Sequence, residues 1–389
     1  MIYFLVLFFL IILIMIFDIG GRKQGRNFFY KLTGIIFVLI AGLRWKVGGD
    51  SLIYQNVFEN NLAPIYDFKS NFIILLDWNV GFTGLMSICK TVVDEFWFFQ
   101  FIQAIIVNIV LFKFFRKYTD YIFTAVFLYG YFYFFNYNME ILREVLAICI
   151  FLFVYKFLEE KKLAKFYIGI CIAMLFHTSA SILLLFPLLK QLKLNVFGIG
   201  ILLSLFIVLM TSVALFPVIL DFLSFSENTS SKIAFYSSRE FSFFGTVYNF
   251  LCFVGFPAFL YYFNKINKID NKFDVLVFPY FFIALLLVAV PGFGRFINYF
   301  GPFLIVYFAN TICFVMRSKR LVNVRMLLCS IFFFFPMYYK TVYYFSEIQG
   351  GFSGNVYKRY EGWLPYSSVF DKEEDDRRLD IHSGTLSRE

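Results

Sequence analysis

Apolar runs of membrane-crossing length follow one another along almost the whole chain, and that succession limits the fold more than any other feature. They fall at about 2–17, 28–43, 95–113, 120–136, 141–158, 163–176, 178–189, 196–215, 246–264, 275–290, 296–316 and 326–345. A run of roughly 18 apolar residues crosses a hydrocarbon core of about 30 Å as a helix. The sequence therefore predicts an all-α polytopic integral membrane protein with about 12 membrane segments. Ten read as full spans. The pair 163–176 and 178–189 is short, with His177-Thr178-Ser179 between its halves, and reads as one long span, two short ones or a re-entrant hairpin. At 60% apolar and 16% charged residues, the chain departs from the half-apolar, quarter-charged make-up of soluble domains. That excludes a soluble enzyme, a nucleic-acid binder and a secreted disulfide scaffold.

The net charge of +9 is then an orientation signal. Lys and Arg cluster in the links 18–31, 113–120, 156–165, 264–274 and 316–325. All five share one side only if the pair at 163–189 goes in and comes back. The positive-inside rule prefers that arrangement, so both termini are expected outside, with His177 at an outward turn. Met1 to Phe17 lacks a basic leader and reads as a first span, not a cleaved signal peptide. The expected division is a helical membrane domain over 1–345, with outer loops 44–94 and 216–245, and an outer aromatic and polar tail over 346–389. The expected location is the bacterial inner (cytoplasmic) membrane, as a multi-pass protein. The six cysteines are scattered, and with two histidines in the chain no Cys/His zinc cluster is expected. Neither GxxxxGK followed by Ser or Thr nor GxGxxG occurs, so soluble nucleotide cofactors are not expected.

Polar residues at span edges are costly and therefore informative. Arg44 ends the second span, Arg143 opens the fifth and Arg295 lies between two later ones. Each alone reads equally as an interfacial anchor reaching for water. Three on the side where basic residues are sparse favour phosphate binding, for which the guanidinium fork is suited. Asp50, after Gly48-Gly49, is either a reactive carboxylate or, with Ser51, the cap of a helix that carries Tyr54 one turn on. His177 is either a hydrogen-bonded structural residue or a proton acceptor or phosphate donor. Gly81-Phe82, Leu85-Met86 and Ile88-Cys89 have the spacing of an interfacial amphipathic helix. In the tail, Tyr360, Trp363, Pro365 and Tyr366 form an aromatic patch. The mixed-charge run from Asp371 to Asp380 reads as solvated.

Taken in order, these motifs resemble those of the EpsG/Wzy-type exopolysaccharide and O-antigen polymerases. The carrying residues are Arg44, Gly48, Gly49, Asp50 and Tyr54; Arg143 and Ala147; Phe176, His177, Ser179 and Ala180; Arg295; and Pro365-Tyr366. Glu144 stands where the family has a neutral residue, and Ser51 where it has Tyr. The resemblance implies a GT-C-like, metal-independent membrane glycosyltransferase without cofactor. It would join undecaprenyl-diphosphate-linked glycans at the outer face, among membrane lipids, with a chain-length regulator protein as a further partner and no nucleic acid. Arg143 and Arg295 would stabilise the leaving diphosphate, with Arg44 as a third clamp. Asp50, His177 or Glu140 would orient sugars or remove a proton, and Tyr54, Tyr299 and Tyr366 would be further substrate contacts. The rivals are a lipid-linked oligosaccharide flippase, which would need polar residues through the membrane centre, an O-antigen ligase differing in acceptor, and an acyltransferase using His177.

Overall fold

A computed structural model describes residues 2–67, 78–212, 243–269, 271–289, 293–318, 323–324, 342, 344–372 and 375–386. The protein is a mostly helical membrane protein. Among the described residues four helical stretches are long and apolar enough to cross a membrane: Ile2–Ile19, Phe96–Tyr118, Gly245–Ile266 and Gly294–Arg317. Shorter apolar helices fill most of the other expected segments. Most of the expected loop 216–245 and of the span 326–345 lies outside the described residues.

The chain divides into two units, Met1–Ser181 with Phe308–Glu389, and Ile182–Tyr307. The first unit contains α1 (Ile2–Leu13, extended by a π-helical turn to Ile19), α2 (Arg26–Gly42), α3 (Gly49–Asn56), α4 (Val80–Val92), α5 (Phe96–Tyr118), α6 (Ile122–Phe132), α7 (Leu142–Glu159) and α8 (Leu163–Met174). The second contains α9 (Phe186–Leu189), α10 (Val196–Ser212), α11 (Phe243–Phe250), α12 (Phe256–Ile266), α13 (Val277–Ala289) and α14 (Gly294–Ile297). The division falls inside α15 (Gly301–Arg317).

Within the first unit α2 lies along α5 and α8 along α7. A Cβ at Gly42 would lie 2.8 Å from the Cα of Phe101, so this crossing is closer than any larger residue allows. Tyr30 donates to the carbonyl of Phe112 at 2.7 Å, and Phe37 stacks on Tyr129 with ring centres 5.6 Å apart.

The basic links of this unit are tied together at one end of its helices. Asp18 is buried, accepts the N–H and hydroxyl of Thr124 at 2.7 and 2.9 Å, and lies 3.6 Å from Arg26. Arg317 donates to the Asp18 carbonyl and Arg26 to that of Asp120. Arg116 donates to Asn27 at 3.2 Å, and Thr119 to Asn310 at 2.7 Å. Glu159 accepts from Tyr118 at 2.9 Å and pairs with Lys117 at 3.6 Å. The far ends of α2 and α7 therefore lie about 25 Å away along their axes, at 1.5 Å per residue. Arg44 and Arg143 stand at those far ends.

The tail is folded: in the charged run Asp371, Lys372, Asp376 and Arg377 are exposed, as expected of a solvated segment, while Arg378 and Asp380 are buried. Strands β1 (Glu347–Gln349) and β2 (Val356–Lys358) pair antiparallel, and helix α16 (Asp376–Leu386) follows. Asp380, on α16, is buried. It accepts the backbone N–H groups of Phe352 and Ser353 at 2.7 and 3.0 Å, the Ser353 hydroxyl, and the Tyr357 hydroxyl at 2.9 Å. These donors hold its carboxyl down at about 2. Composition marked the run as charged; what orders it is one carboxylate facing a turn more than twenty residues earlier.

Candidate functional site

The tail closes over the segment that follows α2. Trp45 N–H donates to the Ser367 carbonyl at 2.9 Å, Val369 N–H to that of Leu43 at 2.9 Å, and Gly48 N–H to that of Gly362 at 3.1 Å. Arg44 and Ser368 form an isolated antiparallel bridge. The Arg44 side chain is fully buried, with Nε donating to the Val47 carbonyl at 3.2 Å and Nη1 to that of Ala41. It thus closes its own turn. Tyr366 donates to the Ile40 carbonyl at 3.2 Å and meets Tyr3 edge-on at 6.0 Å. Burial pushes its phenol up to about 12. Tyr3 thereby shares this end with the tail.

Beyond Arg44 the chain turns at Gly48, whose φ of 101° suits glycine and whose Cβ, if it had one, would lie 2.8 Å from that of Met139. That contact seats the start of α3 on the π-helical turn Asn136–Glu140. Gly48 is the N-cap of α3, and among the described side chains none caps the helix. Ser51 instead donates back to the carbonyls of Val47 and Gly48 at 3.0 and 2.8 Å, which corrects the expected capping by Ser51. Asp50 lies in the first turn of α3 by its backbone; its side chain is outside the described set.

The π-helical turn is pinned from below by a ring of hydrogen bonds. Asn108 donates to Asn138 at 3.0 Å, Asn138 to the Tyr129 hydroxyl at 2.6 Å, and Tyr129 back to Asn108 at 3.0 Å. All three are buried, and each satisfies the next, as polar groups out of water must be. Ile141 N–H closes the turn on the Asn136 carbonyl at 2.9 Å, and α7 starts at Leu142. Glu140 is half-buried on the turn, and Glu144 buried in the first turn of α7.

Arg143 is therefore delivered to the first turn of a helix, where a positive side chain opposes the macrodipole. Its guanidinium carbon lies 4.8 Å from the ring centre of Trp78 and 5.8 Å from that of Tyr54. The two rings meet edge to face at 5.4 Å. Its Nε is buried with no hydrogen-bond partner. Among the described side chains no carboxylate pairs with it. A helix N-terminus and an unneutralised guanidinium together make an anion site.

Three residues after Trp78, Gly81 N–H donates to the Leu175 carbonyl at 2.8 Å. Helix α4, anticipated from its apolar spacing, thus joins the Arg143 cluster to the break after α8. His177 is buried there. Its Nδ1 accepts the Ser179 N–H at 3.2 Å and lies 2.6 Å from the Ser179 hydroxyl. An N–H can only donate, so the neutral ring carries its proton on Nε2.

In the second unit Arg295 is exposed on α14, and Tyr299 is fully buried just after it. An apolar pocket lies among Tyr261, Phe273, Tyr280, Phe300 and Tyr307, and no cation lines it to hold a phosphate. Among the described residues no three His, Cys, Asp or Glu stand together as metal ligands.

The structure brings Tyr54 and Arg143 together, links them through α4 to the His177 break, and places Arg44 and Tyr366 in the tail seam. Trp78 and the Asn108–Tyr129–Asn138 ring were missed. Trp78 sits beside no recognisable motif, whereas Asn108, an amide deep inside an apolar span, was a readable signal.

No curated protein and no solved structure matches the chain. Comparison with protein families matches residues 27–368 to the EpsG family. That match covers the motifs around Arg44, Arg143, His177 and Arg295, and the chain belongs to the EpsG family, whose membership points to a polysaccharide polymerase-type role.

Proposed function

We propose that this protein joins undecaprenyl-diphosphate-linked oligosaccharide repeat units at the outer face of the inner membrane. The observation that carries the reading is Arg143: a guanidinium at a helix N-terminus, held by aromatic rings and neutralised by no described carboxylate. Fixed positive charge of that kind stabilises a departing diphosphate, whose negative charge grows as the bond breaks. In this reading an acceptor sugar hydroxyl attacks the anomeric carbon of the donor glycan. The bond from that carbon to the diphosphate oxygen breaks, and its electron pair leaves with the lipid diphosphate. Arg143 carries the leaving charge, and Arg295 is the other arginine proposed for that role.

His177, with Nδ1 engaged by Ser179, acts as a phosphate hydrogen-bond donor through Nε2 instead of a base. The hydroxyl proton passes to Asp50, which precedes Tyr54 by one turn of α3, or to Glu140. Arg44, whose Nε and Nη1 donate to backbone carbonyls, holds the fold of the site. Tyr366 braces the same seam, and Tyr54 bears on the substrate through Arg143. The outer assignment follows from charge: four basic links share one end of the first unit, which the positive-inside rule assigns to the cytoplasm.

Cells carrying Arg143→Ala or Arg295→Ala are expected to lose long-chain polymer while the protein stays in the membrane. Wild-type chain lengths in both would make the arginines interfacial anchors.

A further inference from the structure

We infer that Trp78 is a positioning residue for the anion site: it holds the Arg143 guanidinium face-on without spending its charge. The inference rests on the reading of Arg143 given above. An arginine needs partners to stay in one place, and the usual partner is a carboxylate. A carboxylate also cancels the charge that a diphosphate must meet. An aromatic face resolves the conflict, because its quadrupole attracts the cation yet carries no net charge.

The geometry fits that purpose. Trp78 is the nearer ring, at 4.8 Å against 5.8 Å for Tyr54. Tyr54 meets the indole edge to face at 5.4 Å and meets Phe82 at 5.3 Å. Phe82 is buried on α4. The indole is therefore braced by Tyr54 on α3, which Phe82 on α4 braces in turn. Arg143 Nε is buried and has no hydrogen-bond partner. With no hydrogen bond at Nε, the rings are what fix the guanidinium.

The test measures binding of farnesyl diphosphate, a short isoprenoid diphosphate, by the full-length protein in lipid nanodiscs, with Trp78→Leu, Trp78→Phe and Arg143→Gln compared by calorimetry. Trp78→Leu is expected to weaken binding tenfold or more. Trp78→Phe, which keeps a ring of weaker quadrupole, is expected to weaken it two- to fivefold. Arg143→Gln is expected to abolish it. If Arg143→Gln abolishes binding and Trp78→Leu binds as wild type, the role of Trp78 is overturned while the anion site stands. If Arg143→Gln itself binds as wild type, the anion site falls. If only the Trp78 variants lose binding, the indole touches ligand directly and the positioning role is overturned. Should Trp78→Leu fail to insert, Trp78→Phe carries the test, and affinity equal to wild type overturns the proposal.

Discussion

Arg143 and Asn138 lie five residues apart and separate two ways of losing function. Arg143 is held by ring faces and donates no described hydrogen bond, so Arg143→Gln is expected to abolish polymer while shifting unfolding by less than about 1 kcal/mol. Asn138→Ala breaks the buried ring of three and leaves Asn108 and Tyr129 short of partners. Each stranded buried group costs about 1–3 kcal/mol. The expected loss is roughly 2–4 kcal/mol of stability, read as a lower melting temperature in detergent. Equal stability in both variants would remove the ring from the support of the site. Arg143 itself was legible, because a charge at a span edge needs a reason. Its aromatic holder was not, since Trp78 and Tyr54 are ordinary residues of an aromatic-rich chain until the fold brings them together.

Among the elements, α4 could be read from its spacing, and its bounds agree with that reading. The tail could not, because its order depends on one carboxylate reaching a distant turn. Asp380 supplies the test. Its folded pKa of about 2 lies below the unfolded value of about 3.9. The stability it contributes is therefore complete above about pH 3.9 and is lost as pH falls through about 2. Asp380→Asn should remove that acid-dependent loss and admit protease cleavage between β1 and α16 at neutral pH. A tail as resistant as wild type would count against the carboxylate as its organiser. The start of α3 offers a second test. Gly48→Ala meets both a positive φ and the Met139 side chain, for an expected loss of roughly 2–4 kcal/mol. A variant as stable as wild type in thermal unfolding would show that the seat on Met139 can relax.

For the molecule as a whole, charge distribution gives the expected orientation. The first unit gathers its basic links at one end of its helices and its arginine motifs at the other. Cysteines introduced at Lys23 and at Ser353 should react with membrane-impermeant maleimide from opposite sides, Ser353→Cys from outside. Labelling of both from one side would overturn the orientation. Chemistry was legible only through the ordered set of motifs, since each alone also describes an interfacial anchor or a turn. The most direct measurement of the central claim supplies purified protein in nanodiscs with synthetic lipid-linked repeat units. The account predicts a ladder of lengthened glycans with stoichiometric release of lipid diphosphate, lost in Arg143→Gln. Absence of a ladder, or passage of the units across a bilayer without joining, would contradict it.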